Sequence, residues 1–230
     1  MASGPNTEKV IAYALLVMTA VTGLVDAVSF LSLGHVFTAN MTGNIVLLAF
    51  ATAQVSGLSI ARSLTALSAF LVGATLGGRV MARASADSQI RFAAQAFLLE
   101  VAFLFAASLC GIGFRGDLLE DSFQPFALIA LTALAMGTRN AAVRKLAIPD
   151  LTTTVLTLTF TGIGADSSIA NGNNPRLARR VEAVVAMFLG AALGAVIIRY
   201  SISAALWLGT AMSALCGAAL FRALRTPEKL

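Results

Sequence analysis

Eight apolar segments, separated by short polar stretches, run along the chain. They lie at about 10–32, 36–56, 63–80, 92–113, 126–143, 151–165, 181–199 and 201–222. Six of them approach the length of about 20 apolar residues with which a helix crosses a bilayer. The second is interrupted by Asn40, Thr42, Gly43 and Asn44, and the sixth is short and contains six threonines. The pattern predicts six crossing helices and two segments of a different kind.

The two halves of the chain resemble each other. The stretch SAFLVGATLGG at 68–78 aligns with VAMFLGAALGA at 185–195, at an offset of 117 residues (185 − 68). In an apolar chain, such a repeat is typical of a transporter whose binding site lies between the two copies. We expect one membrane domain, 1–230, built from a first repeat at 10–113 and a second at 126–222. The alignment pairs Gly73 with Gly190 and Gly77 with Gly194.

The composition indicates that this fold lies in lipid. Hydrophobic residues make up 58% of the chain and charged residues 12%, whereas soluble domains contain about 25% charged residues. The unbroken apolar runs favour helices over a β-barrel. The net charge of +5 is explained by basic loops on the cytoplasmic side. No nucleic-acid partner is therefore expected.

The placement of charge predicts the topology. The basic residues flank the third, sixth and eighth segments, and the loop between the fourth and fifth segments is acidic. If every basic cluster is cytoplasmic, the sixth segment must enter and leave on one side, and the second does the same from the other side. The fold class predicted is all-α integral membrane, with six transmembrane helices plus two re-entrant half-helices in an inverted 3+3 repeat. Eight full spans with parallel repeats is the alternative, and it places Arg176, Arg179 and Arg180 outside.

The two weak segments predict a solute site. If each enters as extended chain and returns as a helix, both helix N-termini point at the midplane with free N–H groups and about +0.5 charge. Two such ends facing each other form an anion site. Alternatively, these polar groups only cap and join helices. The candidate substrate-binding residues in these segments are Asn40, Thr42, Asn44, Thr154, Thr157 and Thr159.

Charged and amide side chains within the spans add further candidates. Asp26 in the first crossing matches Asn140 in its copy at an offset of 114 (140 − 26), and Arg139 is adjacent. Ionisable groups within a membrane are costly and are functional candidates. We expect these three to flank the solute, with Arg139 either supplying positive charge or extending to the surface. Asp26 and Glu100 are candidates for proton coupling, and each has a structural alternative as a salt-bridge or hydrogen-bond partner.

Catalytic and cofactor motifs are weak or missing in the sequence. His35 is the one histidine, and no phosphate-binding loop for ATP is present. Cys110 and Cys216 lie in apolar runs and suit small apolar helix positions. We therefore expect no enzyme activity, no cofactor and no metal site. The partners expected are the lipid bilayer and a small, anionic solute, and a homodimer is compatible with the sequence.

Four motifs carry a resemblance to a known family. GLVDAVSF at 23–30 and NMTGNIV at 40–46 resemble the YoaK-like bacterial membrane proteins, as do MGTRNAAV at 136–143 and PDLTTT at 149–154. That family usually has a second TG in the sixth segment, where Thr157 is here followed by Leu158. The resemblance implies a multi-pass protein of the bacterial inner membrane. The predicted organisation is also similar to the core of SulP-type anion and nucleobase transporters.

These observations together predict a secondary transporter of a small, anionic solute, bound at the midplane between two facing half-helices, with both termini cytoplasmic. A passive channel and a non-transporting membrane partner or sensor are the alternatives. A channel needs a continuous polar lining, whereas the many helix-packing residues and few charges of this chain favour the transporter.

Overall fold

The computed structural model describes residues 5–85, 88–114, 116, 123–148, 151, 153–154 and 156–225, and of residues 5–8 and 223–225 it describes the backbone. The acidic loop residues Asp117, Glu120 and Asp121 lie outside the described residues, as does Thr152. Every regular element in the described part is helical. The α-helices are α1 (Pro5–Ser32), α2 (Met41–Thr52), α3 (Ile60–Met81), α4 (Gln89–Cys110), α5 (Phe123–Leu146), α6 (Thr157–Ala165), α7 (Leu177–Ile197) and α8 (Ile202–Arg225).

Six of these helices have the length and apolar character of membrane spans: α1, α3, α4, α5, α7 and α8. The other two have 12 residues (α2) and 9 residues (α6). At 1.5 Å per residue they extend over only about 18 and 14 Å, against a hydrocarbon core of about 30 Å. The protein is thus an all-α integral membrane protein with six long spans and two short helices. Among the described residues, six helices and not eight are long and apolar enough to span by themselves, which favours six spans over the alternative of eight.

Glycines allow two pairs of helices to cross at backbone contact. A Cβ at Gly23 of α1 would collide with Met187 and Ala191 of α7. A Cβ at Gly137 of α5 would collide with Phe70 and Ala74 of α3. Small residues at such crossings let helix backbones approach closely, which is a main source of helix association in lipid.

The two crossings correspond residue by residue. Gly137 follows Gly23 by 114 residues (137 − 23), and each glycine meets a pair of residues separated by 117 (187 − 70 and 191 − 74). The partner glycines also correspond, because Gly73 packs on Leu134 whereas Gly190 packs on Ala20. The pair α1 and α7 and the pair α5 and α3 therefore cross with the same contact geometry. The inverted orientation of the two repeats stays a prediction.

The remaining helices complete the bundle in the same paired manner. Helix α8 packs on α1, α4 packs on α5, and α4 and α8 pack on each other. The short helices lie outside this centre, with α2 against α3 and α6 against α7. Leu24, Met136 and Leu206 are among the fully buried side chains at the centre. Four long helices, α1, α4, α5 and α8, thus supply most of the buried core, while α3 and α7 expose much of their apolar surface to lipid.

The glycine crossings predict a position-specific effect on stability. Gly73→Ala places a methyl group against the backbone of Leu134 and should lower the free energy of unfolding by about 1–3 kcal/mol, a typical cost of overpacking. Gly78→Ala, on the same helix, is the control, because a Cβ there meets no atom within 4 Å. Thermal unfolding in detergent measures both. Equal melting temperatures for the two variants would show that α3 and α5 do not cross at Gly73.

Candidate functional site

An open cavity of about 720 Å³ lies between α2, α3 and α5. This volume is within the range of small-molecule sites, about 300–1,000 Å³. Two basic side chains line it, and none of its described lining residues is acidic. The lining consists of Ala39, Asn40, Met41 and Thr42 at the start of α2, Phe70, Ala74 and Gly78 of α3, Asn140, Ala141, Arg144 and Lys145 of α5, and Thr154 before α6.

The carboxylate of Asp26 anchors the non-helical chain that precedes α2. Its Oδ1 accepts hydrogen bonds from the backbone N–H groups of Thr38, at 3.0 Å, and Ala39, at 2.9 Å. These two donors have no helical partner of their own, and leaving such groups unpaired in a membrane costs several kcal/mol. Asp26 therefore fixes the N-terminus of α2 at the depth of the cavity.

Asn44 holds the same segment from the other side. Its side-chain amide accepts from Phe37 N at 2.8 Å and donates to Phe37 O at 2.5 Å, and the residue is fully buried. Asn40 caps α2 by accepting from Gly43 N at 3.3 Å. Of these two asparagines, only Asn40 lines the cavity. The amide of Asn44, expected to donate to a solute, is instead used by the chain itself.

The geometry of α2 is that of a half-helix that enters and leaves at one end of the bundle. Its N-terminus lies beside Phe70 and Ala74, in the middle of α3. Its C-terminus, at Thr52, leads back to the start of α3 at Ile60. The N-terminus of α2 therefore lies within the bundle, and its first residues, Met41 and Thr42, line the cavity.

The segment before α6 is held in a related way. Asn140 of α5, at the position that corresponds to Asp26, accepts a hydrogen bond from Thr154 Oγ1 at 2.8 Å. Thr154 corresponds to Ala39 at an offset of 115 (154 − 39). The buried hydroxyls of Thr38 and Thr153 also correspond, and neither has a hydrogen-bond partner in the described structure. A polar residue of a long helix thus anchors the non-helical chain before the short helix in both halves.

Only one of the two short helices contributes its N-terminus to the cavity. Thr157 at the start of α6 is exposed and Thr159 is buried, and neither belongs to the lining. Of the predicted site residues, the cavity brings together Asn40, Thr42, Asn140 and Thr154. Asp26 and Asn44 lie behind them as supports.

Arg139 and Glu100 form a buried ion pair away from the lining. Arg139 Nη1 lies 3.2 Å from Glu100 Oε1, and both side chains are fully buried. The guanidinium also donates to Met18 O at 3.0 Å and to Thr22 Oγ1 at 2.6 Å. Ser213 donates to the same carboxylate oxygen at 3.0 Å. The positive charge of Arg139 is therefore balanced within the core, and it neither extends to the surface nor lines the cavity.

Sequence reasoning missed the two basic side chains of the lining, Arg144 and Lys145. Both are exposed in the last turn of α5. In the sequence, basic residues after an apolar run indicate only the cytoplasmic side. Their position beside the N-terminus of α2 depends on the packing of α5 against α3, which the pattern along the chain does not reveal.

Among the described residues, no three His, Cys, Asp or Glu side chains are grouped so that they could hold a metal ion. Both cysteines are free thiols, Cys110 half-buried and Cys216 buried. The polar side chains that line the cavity are the hydroxyls of two threonines, the amides of two asparagines and the cations Arg144 and Lys145. Such groups suit hydrogen bonding to an anion.

A family model described as "Protein of unknown function (DUF1275)" matches residues 14–219. The chain belongs to this family. It is 38% identical over 155 residues to the UPF0700 transmembrane protein YoaK of Bacillus subtilis (strain 168), an alignment that covers 67% of this chain and 65% of that protein. The match thus spans slightly less than two thirds of the relative. It confirms the resemblance to YoaK-like membrane proteins. No solved structure matches the chain.

The anchoring role of Asp26 predicts a difference between two substitutions. Asp26→Asn keeps an acceptor oxygen at this position. Asn140 already provides such an oxygen at the corresponding position of the other half, so folding should change little. Asp26→Ala leaves the N–H groups of Thr38 and Ala39 unpaired and should cost about 1–3 kcal/mol for each of these two donors. Thermal unfolding in detergent compares them. If Asp26→Asn is as unstable as Asp26→Ala, the negative charge itself is required and the anchoring role is insufficient.

The Arg139–Glu100 pair predicts a stability loss that a second substitution reverses. Arg139→Met leaves the carboxylate of Glu100 buried without its cation and should cost about 3–5 kcal/mol. Adding Glu100→Gln removes that charge and should recover most of the loss, whereas Ser213→Ala alone should cost only about 1 kcal/mol. Melting temperatures and size-exclusion profiles in detergent report these effects. A double variant no more stable than Arg139→Met contradicts the pairing.

Proposed function

We propose that this protein is a secondary transporter of a small organic anion, which binds in the cavity between α2, α3 and α5. The observation that carries the proposal is the coincidence of a helix N-terminus, Arg144 and Lys145 in one cavity whose described lining contains no acidic residue. Helix N-termini carry about half a positive charge. Together with the two basic side chains, this favours a negatively charged occupant over a cation.

The polar groups are placed to bind an anionic group. Asn40, Thr42 and Asn140 supply amide and hydroxyl donors next to the first turn of α2. Arg144 lies beside Asn140 within the same lining, so its guanidinium can form paired hydrogen bonds with a carboxylate. Hydrogen bonds of this kind are about twice as strong as neutral ones. An anion would therefore enter past the basic mouth and bind at the start of α2.

The apolar part of the lining favours an organic solute over an inorganic oxyanion. Ala39, Met41, Phe70, Ala74 and Ala141 form much of the wall, and Phe70 provides an aromatic surface. Solutes in such sites gain free energy by burying apolar area, about 25 cal/mol per Å². A carboxylate with an apolar body of several carbon atoms satisfies both the basic mouth and this wall.

The proposal includes an orientation. The basic ends of α3 and α5 are cytoplasmic by the distribution of Lys and Arg, so the cavity opens to the cytoplasm and both termini lie on that side of a bacterial inner membrane. The paired glycine crossings support an inverted repeat. In this proposal the protein is not an enzyme, and the solute crosses the membrane without chemical change. Assembly as a homodimer is compatible with the lipid-facing surfaces of α3 and α7.

The basic mouth predicts which solutes bind. Benzoate should raise the melting temperature of the purified protein more than acetate, sulfate, phosphate or uracil, since a specific ligand stabilises by mass action. In the double variant Arg144→Ala/Lys145→Ala the affinity for benzoate should fall about ten- to hundredfold, the effect of losing a charged hydrogen-bond partner. Arg91→Ala is the control, because Arg91 is exposed at the start of α4 and does not line the cavity.

Proteoliposome assays separate transport from the other functions. Saturable benzoate counterflow that the double variant loses supports a transporter. Unsaturable flux or a steady current indicates a channel. Binding without flux indicates a sensor, and an equal affinity in the double variant and the wild type contradicts the site itself.

A further inference from the structure

Because the two halves of the chain correspond, the cavity in one half has an equivalent surface in the other half. The cavity lies beside the crossing of α5 with α3, because Phe70 and Ala74, on which Gly137 packs, are also lining residues. The equivalent crossing of α1 with α7 brings Gly23 onto Met187 and Ala191. In transporters built from an internal repeat, the repeats move against each other around a site at their interface, so that it is reached from each face in turn.

The offsets between the halves identify the residues. Asn140, Ala141 and Arg144 of the cavity correspond to residues of α1 at an offset of 114, Phe70 and Ala74 correspond to residues of α7 at 117 (187 − 70), and Thr42 corresponds to Thr157 at 115 (157 − 42). We call the resulting set the mirror surface: Asp26, Ala27, Phe30, Thr157, Met187 and Ala191.

An aromatic cluster covers the end of α1 at this surface. Phe30 stacks on Phe37 with ring centroids 4.8 Å apart and an angle of 19° between the rings. His35 packs edge-on against Phe30 at 5.2 Å, and its Nδ1 lies 3.2 Å from Gly57 O in the connection between α2 and α3. At the corresponding position of the cavity, Arg144 is exposed. Where the cavity has its basic mouth, the mirror surface thus carries a stacked aromatic cluster that includes the half-buried Phe30.

We infer that the mirror surface is a second solute-binding pathway, which opens to the opposite face of the membrane when the Phe30–Phe37 stack separates. This inference rests on the proposed transport function, because a solute can cross only if its site is reached from both faces in turn. The helix crossings at Gly23 and Gly137 provide two equivalent packings, and exchanging them opens one pathway while closing the other.

The two pathways differ in charge. The cavity has Arg144 and Lys145 at its mouth, whereas the corresponding residues of α1 are Phe30 and Leu31. Asp26 replaces Asn140, and its carboxylate is already bound to the backbone of Thr38 and Ala39. An anion should therefore bind more weakly at the mirror surface, which would serve as the low-affinity side of the transport cycle.

Matched cysteines test the inference in the whole chain 1–230, with Cys110 and Cys216 replaced by alanine. Ala74→Cys and Ala191→Cys occupy corresponding positions, both half-buried. A membrane-impermeant maleimide should label Ala74→Cys from the cytoplasmic side and Ala191→Cys only from the opposite side, in vesicles of known orientation. Leu71→Cys, on the lipid-facing side of α3, is the control and should react slowly from both sides.

Phe30→Ala should raise the labelling rate at Ala191→Cys about three- to tenfold, the effect of losing one aromatic pair, and lower it at Ala74→Cys. Thr157→Cys, exposed at the start of α6, replaces Ala191→Cys if that variant does not fold, and the same side preference is expected. Labelling of the chosen mirror cysteine from the cytoplasmic side, or from neither side in the Phe30→Ala background, overturns the inference.

The proposed function is tested separately by protection with benzoate. If benzoate slows labelling of Ala74→Cys but the mirror cysteine never reacts from the opposite face, the cavity is a binding site and the second pathway is wrong. If benzoate protects neither cysteine, the proposed solute site fails. If the mirror cysteine still responds to Phe30→Ala, the conformational exchange stands without that solute.

Discussion

The structure depends on one constraint: backbone groups that leave a helix inside a membrane must find hydrogen-bond partners within the protein. The chain leaves helical structure between α1 and α2 and again between α5 and α6. In the first gap, Asp26 and Asn44 bind the backbone of residues 37–39. Without these partners, α2 could not begin within the bundle, and its N-terminus would not line the cavity.

Close helix contact is the second requirement, because the anchors act only if the long helices are in place. In lipid, helices gain little from the hydrophobic effect on meeting each other, so packing and interhelical hydrogen bonds must hold them together. Gly23 and Gly137 provide this contact at two corresponding crossings. Thr138 adds a hydrogen bond to Gly73 O at 3.1 Å. The cavity lies beside one of these crossings, so any change in how α5 packs on α3 alters its shape.

Some charged residues of this protein are buried in ion pairs, whereas others are exposed at the cavity. The Arg139–Glu100 pair is enclosed in the core and compensates itself. Arg180 is held in a similar manner nearer the surface, by Asp166 at 2.8 Å and by Gly162 O at 2.5 Å. By contrast, Arg144 and Lys145 are exposed in the cavity. Arg139 and Glu100 are charged residues within apolar segments of the sequence. In the fold they bind each other, since a buried charge must be paired.

The sequence by itself determined the class of protein, the six long helices and the two short ones, because apolar runs of a given length dictate which segments enter lipid. Its motifs also identified the family, and the interruptions around Asn40 and in the threonine-rich segment located the two short helices. Helices α2 and α6 are shorter than the apolar segments that contain them, because the described residues just before each helix are not helical.

Only the tertiary structure decided which polar residues meet. Asn40, Thr42, Asn140 and Thr154 share a cavity, whereas Asn44 and Arg139 bind the protein itself. The pattern along one helix records which residues are polar, and it does not record which neighbouring helix faces them. That choice depends on the crossings at Gly23 and Gly137, where side chains distant in sequence are brought together by backbone contact.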